Sequence, residues 1–249
     1  MVLRALAGGT IFGSVTGTAT PGVLALHGWA RSHKDFDATL APADGATLDA
    51  VALDLPGFGA TPAPPEVWGA AEYAAFVAGV LDEMAAPVVV LGHSFGGKVA
   101  VALAVQRPEA VRALVLTGVP LVATKAPVQP ARAFALTRRA HRLGLVSDAR
   151  MEAARQRYGS ADYRAAEGVM RQILVKSVGE HYDAELARVT CPVELVWGDH
   201  DTASPPAVAE RAAELLSSAR LTVLPGVGHM TPLEAPRELR AALDRLGAR

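Results

Sequence analysis

At 249 residues the chain is long enough to bury a substantial core, and its length suits one main α/β unit carrying an inserted subdomain. Lysine plus arginine number 24 against 25 aspartate plus glutamate, so a formal charge of -1 points away from nucleic acid and from an anionic membrane surface as partners. The single cysteine, Cys191, excludes an intrachain disulfide and a thiolate-cluster metal site; placed before Pro192 and the apolar run PVELVW, it reads as a core filler.

Taken in chain order, the opening segment MVLRALAGGTIFGSVTG has one early positive charge, but Gly8, Gly9, Gly13 and Gly17 break its apolar stretch. Two strands explain it better than a secretion signal. No run of 18 or more consecutive apolar residues occurs, so stable membrane insertion is not expected and a cytoplasmic location is the default expectation. Residues 22–26 (GVLAL) read as a strand ending at His27-Gly28-Trp29, and residues 48–53 (LDAVAL) as another ending at Asp54-Leu55-Pro56-Gly57. A helix is expected over residues 70–84, then a strand over 87–91, with later strands over 111–116 and 193–197. Strands alternating with helices imply right-handed crossovers and a mostly parallel sheet.

Residues 88–100 read VVVLGHSFGGKVA. Val88 to Leu91 lack polar alternation, as a strand buried on both faces does, while Val99, Ala100, Leu103 and Ala104 recur at helical spacing. Ser94 therefore falls where a strand becomes a helix, with Gly92 and Gly96 giving clearance for a sharp turn. Such a turn aims the hydroxyl away from the sheet and brings the first N–H groups of a helix beside it. A phosphate loop is the competing reading of glycine next to lysine, but Lys98 is followed by Val99 where that loop needs Ser or Thr.

Between residues 119 and 189 the strand rhythm stops. Pro120, Pro127 and Pro130 precede ARAFALTRRAHRLGL and SDARMEAARQRYG, both with the charge and spacing of amphipathic helices. The expected organisation is core over 1–119, a helical cap or lid over 120–189, and core again over 190–249.

A serine hydroxyl is a weak nucleophile at neutral pH and needs a base oriented by an acid. Downstream, PVELVWGDHDTASP places Asp199 and Asp201 after one strand, and LTVLPGVGHMTPLEAP places His229 after another. The order Ser, Asp, His is that of a nucleophile elbow. Asp201, farther into its loop, is the expected orienting acid, with Asp199 bracing the turn. No Asp or Glu occurs from Val111 through Leu145, which closes the other location for an acid. Ser94, Asp201 and His229 are thus the candidate catalytic residues, and the backbone N–H groups of Trp29 and Phe95 the candidate oxyanion donors. His27 and His93 read as loop braces.

Together, LHGW, GHSFGG, WGDHD and GVGHMTPLEAP closely resemble the α/β-hydrolase fold family, serine hydrolase branch with a helical cap, over nearly the whole chain. The resemblance implies an α/β fold with a mostly parallel eight-stranded sheet, its second strand antiparallel, helices on both faces, and a cap inserted after the sixth strand. It also matches Asp201 to the family's acid, and a serine at position 94 sets this chain apart from relatives with an aspartate nucleophile. The expected activity is hydrolysis of a small, apolar or aromatic carboxylic ester through an acyl-enzyme, with no metal or organic cofactor and a small-molecule partner. Carbon-carbon bond hydrolysis of an aromatic-pathway diketone, lactone hydrolysis and a non-enzymatic receptor are the alternatives, and the oligomeric state is left open. Phe36, Leu121, Phe134 and Met230 are expected pocket residues, with Phe58 and Trp68 as further candidates. Arg138, Arg139, His141 and Arg142, or Lys98 and Arg31, would suit a carboxylate-bearing substrate.

Overall fold

The computed structural model describes residues 2–123 and 132–248. Eight strands form one sheet: β1 (Val2–Leu6), β2 (Ile11–Thr16), β3 (Val23–Leu26), β4 (Ala50–Asp54), β5 (Val88–His93), β6 (Val111–Thr117), β7 (Val193–Gly198) and β8 (Ala219–Leu224). Their order is β1-β2-β4-β3-β5-β6-β7-β8. β2 is antiparallel to both β1 and β4, and every pair from β4 to β8 is parallel. The fold is therefore α/β with a mostly parallel sheet and an antiparallel second strand.

The helices of the core are α1 (Asp37–Leu40), α2 (Ala70–Val77) and α3 (Phe95–Gln106) before the insertion, and α9 (Pro206–Leu215), α10 (Thr231–Glu234) and α11 (Pro236–Arg245) after it. The insertion between β6 and β7 holds α4 (Arg132–Arg142), α5 (Asp148–Tyr158), α6 (Ala161–Ala165), α7 (Gly168–Gly179) and α8 (Asp183–Leu186). Pro127, Pro130 and the expected start of the first cap helix at Ala131 lie outside the described residues. Among the described residues no helix is long and apolar enough to cross a membrane.

Side-chain alternation along the central strands splits the core in two. Leu24, Leu26, Val88 and Val90 join the cluster covered by α2, α3 and α9, whereas Val23, Ala25, Val89 and Leu91 face α1 and α11. Both faces are covered, so these strands read as continuous apolar runs. Each fully buried Val or Leu contributes about 1.5–3 kcal/mol. Cys191 is partly buried and packs against the first cluster, as a filler would.

The expected helix over 70–84 is shorter. It starts where the Gly69 N–H donates to Glu72 Oε2 at 2.6 Å, the return half of a capping box, and gives way after Val77 to a tighter 3-10 turn over Ala78–Glu83. Gly79 within that segment, a poor helix former, accounts for the early end.

Because β3, β5, β6, β7 and β8 run parallel, their C-terminal ends lie along one edge of the sheet. The loops carrying Trp29, Ser94, Pro120, Asp201 and His229 all leave from that edge, where open α/β sheets form their sites.

Candidate active site

Ser94 links β5 directly to α3 and takes φ 49° and ψ -115°, a left-handed backbone for a residue with a side chain. Such a conformation costs on the order of 1–3 kcal/mol and persists only where its surroundings hold it. The Ser94 N–H donates to the Thr117 carbonyl at 3.0 Å on the neighbouring strand, and the chain packs closely on both sides. A Cβ on Gly96 would stand 2.1 Å from the Leu26 oxygen, and one on Gly92 2.6 Å from Gly97 Cα, so neither position admits a side chain. Phe95 opens α3, and its N–H is among the first four of a helix that have no partner within it.

The Ser94 Oγ is 3.2 Å from His229 Nε2, and His229 Nδ1 is 2.8 Å from Asp201 Oδ2. Asp201 is 2% exposed, and its Oδ1 accepts the N–H groups of Ala203 and Ser204 at 2.9 and 2.8 Å. A carboxylate held this way only accepts, so Nδ1 of His229 carries the hydrogen and Nε2 turns its lone pair to Ser94. Asp199 is engaged elsewhere: its Oδ1 accepts the Gly226 N–H at 2.7 Å, tying the loop after β7 to the turn after β8. The structure thus brings Ser94, His229 and Asp201 into one hydrogen-bonded chain and leaves Asp199 outside it.

Two further histidines brace the loops. His93 donates from Nε2 to the His229 carbonyl at 2.9 Å, fastening the elbow to the loop of the facing histidine. His27 donates from Nδ1 to the Gly28 carbonyl at 2.7 Å and accepts the Leu55 N–H at Nε2, 3.0 Å away. Burial pushes both rings down from 6.5 to about 4, and the neighbouring His229 adds to the effect at His93. Their unfolded forms therefore take up protons that the folded forms refuse, so the stability these two rings contribute declines as pH falls from about 6.5 toward 4. Thermal midpoints measured across this window should fall with pH. The slope should flatten in His27→Gln; an unchanged slope would mean that His27 is not buried neutral.

Ser94 and His229 open onto a cavity of about 400 Å³. Its wall comes from the core loops (Trp29, Phe95, Pro120, Val122, Ala203), from Lys98, and from the insertion (Asp162, Leu174, Ser177, Val178, Glu180, His181). The rings of Trp29 and Phe95 meet edge to face at 5.5 Å. Phe58 lines an adjoining recess that shares Trp29 and Asp162.

The other expected pocket residues are not among those lining this cavity. Phe36 is fully buried in the cluster on the α1 and α11 face of the sheet, opposite α3. Leu121 is buried in the core between two residues that do reach the cavity, and its carbonyl accepts the Tyr182 N–H. Phe134 packs near Tyr158 with ring centroids 6.0 Å apart, Met230 gives its N–H to Glu234, and Trp68 stacks among Tyr73 and Phe76. Of the expected cationic groups, Arg138, Arg139 and Arg142 are exposed, His141 faces Asp148 at 2.7 Å, and Arg31 is forked onto Asp35 at 2.6 and 2.8 Å. Only Lys98 lines the cavity. Its signal in the sequence is its position four residues after Ser94, on the same face of α3. The contributions of Asp162, Leu174, Glu180 and His181 have no local signal, because docking of the insertion on the core places them.

Comparison with known proteins agrees with this fold. The chain is 31% identical over 245 residues to the pimeloyl-(acyl-carrier protein) methyl ester esterase of Neisseria meningitidis serogroup B, a match covering 90% of this chain and 91% of that one. Its fold superposes on the 2-hydroxy-6-oxo-6-phenylhexa-2,4-dienoate hydrolase of Rhodococcus sp. strain RHA1 with a TM-score of 0.71 at 20% identity, covering 99% of this chain and 98% of that one. A serine hydrolase involved in carbazole degradation gives a TM-score of 0.70 at 22% identity and covers 98% of each chain. Residues 23–242 match the model of the alpha/beta hydrolase family, from β3 through the loop of His229 and into α11. With sheet order, cap insertion and elbow in agreement, this chain belongs to the alpha/beta hydrolase family, among its serine-hydrolase-type members.

Proposed function

We propose that this protein hydrolyses a small carboxylic ester through an acyl-enzyme at Ser94. The observation that carries the reading is the chain Ser94 Oγ, His229 Nε2, His229 Nδ1, Asp201 Oδ2, with links of 3.2 and 2.8 Å, at the mouth of a cavity walled largely by apolar groups. His229 takes the hydroxyl proton as Ser94 attacks the ester carbonyl, and buried Asp201 stabilises the imidazolium that forms. The N–H groups of Trp29 and Phe95 receive the developing oxyanion, Phe95 from the first turn of α3 where the helix dipole favours negative charge. His229 then protonates the departing alcohol, and the same residues activate water to release the acid.

The relative from Neisseria meningitidis is by its name a methyl ester esterase acting on an acyl chain, which supports an ester with a small alcohol over a carbon-carbon bond as the target. Initial rates on methyl esters of short and medium acids, alongside aryl esters, test this. Saturable turnover releasing alcohol and acid in equal amounts is expected, and its absence across the panel would overturn ester hydrolysis.

A further inference from the structure

Lys98 is a buried cation that the acyl-transfer steps leave unused. It lies one helical turn beyond Ser94 on α3 and lines the same cavity. The residue is 2% exposed; its Nζ donates to the Ser177 carbonyl of α7 at 2.6 Å and lies 5.6 Å from the centroid of the Tyr182 ring. Among the described residues no carboxylate comes within 4.0 Å of it. Glu180, the acid nearest in effect, accepts the Tyr182 hydroxyl at 2.7 Å. Asp162 also lines the cavity and is shared with the recess formed with Trp29, Phe58 and Met170. An ammonium has three donors, and removing it from water without a counterion is costly. Burial accordingly brings Lys98 down to about 8.

We propose that Lys98 is a specificity-determining residue: the cavity takes an acyl chain whose far end carries a carboxylate, and the Lys98 ammonium is its counterion. The inference rests on the ester reading. With an alcohol as small as methanol leaving, only the acyl part is long enough to extend from Ser94 to the lysine. Pro120, Val122, Leu174 and Val178 offer apolar wall for the methylenes of such a chain.

The test compares monomethyl esters of linear dicarboxylic acids with methyl esters of monocarboxylic acids of equal length, on wild type, Lys98→Met and Lys98→Gln. Wild type should favour the half-esters by about ten-fold or more in kcat/KM, chiefly through KM, as a charge-assisted contact would give. Both variants should lose that preference. Lys98→Gln retains a donor for the Ser177 carbonyl, so its loss separates the charge from a tether between core and cap, and thermal midpoints check that both variants are folded. Equal kcat/KM for the two series in wild type, or a preference that survives both substitutions, would overturn the proposal. Calorimetric binding of a half-ester and its neutral counterpart to Ser94→Ala keeps the two claims apart. If wild type turns over neither series but Ser94→Ala binds the half-ester more tightly, and Lys98→Met in that background abolishes the difference, ester hydrolysis falls and the lysine site stands. Equal binding of both would remove the lysine site.

Discussion

Ser94→Ala is expected to lower kcat by about six orders of magnitude, the scale seen when a triad nucleophile is removed, and to leave the fold intact. The loss is large because, among the described residues, Ser94 Oγ is the hydroxyl hydrogen-bonded to His229 Nε2, 3.2 Å away at the cavity mouth. The fold survives because alanine adopts the same left-handed backbone that serine already tolerates at φ 49°, and the bond from the residue 94 N–H to the Thr117 carbonyl does not involve the side chain. Residual turnover above water would come from the oxyanion donors and from binding. Initial rates on the best ester, with thermal unfolding of both proteins, check the prediction; a variant within ten-fold of wild type would show that the nucleophile lies elsewhere.

The second large effect is at Asp201. Asp201→Asn should lower kcat by about four orders of magnitude, whereas Asp199→Asn should stay within a few-fold of wild type. Asparagine at 201 can still accept the Ala203 and Ser204 N–H groups through its oxygen, so the loop is kept. Its amide nitrogen would then face His229 Nδ1 as a donor, forcing the hydrogen to Nε2 and pointing it at Ser94 Oγ, which removes the base. At 199 an amide oxygen can still accept the Gly226 N–H, and the ion pair lost is an exposed one with His200 at 3.9 Å. Equal losses in the two variants, with both folded, would overturn the choice of acid.

Strands and site loops were legible because their signals are local. Runs such as VVVL followed by glycine announce a buried strand that turns sharply, and parallel strands must end on a common edge, so Ser94, Asp201 and His229 meet even though His229 lies 135 positions beyond Ser94. The elbow needs glycine at 92 and 96 for lack of room, a requirement that survives in the one-letter code. The pocket was not legible. Aromatic character marks Phe36 as buried without saying on which face of the sheet, and it packs opposite α3, the helix that follows Ser94. Arg31, expected to suit a carboxylate-bearing substrate, is instead taken up by Asp35 four residues on. The cap side of the cavity depends on how α6 and α7 dock over the sheet edge, and nothing within their own segments encodes that.

Ser94 should carry the acyl group during turnover. Rapid mixing with an activated aryl ester, acid quench and mass measurement of the intact protein tests it most directly. A burst of the aryl alcohol is expected together with one acyl group per chain, mapped to the peptide containing Ser94 and absent from Ser94→Ala. Steady turnover with no burst and no adduct, or an adduct on another residue, would contradict it.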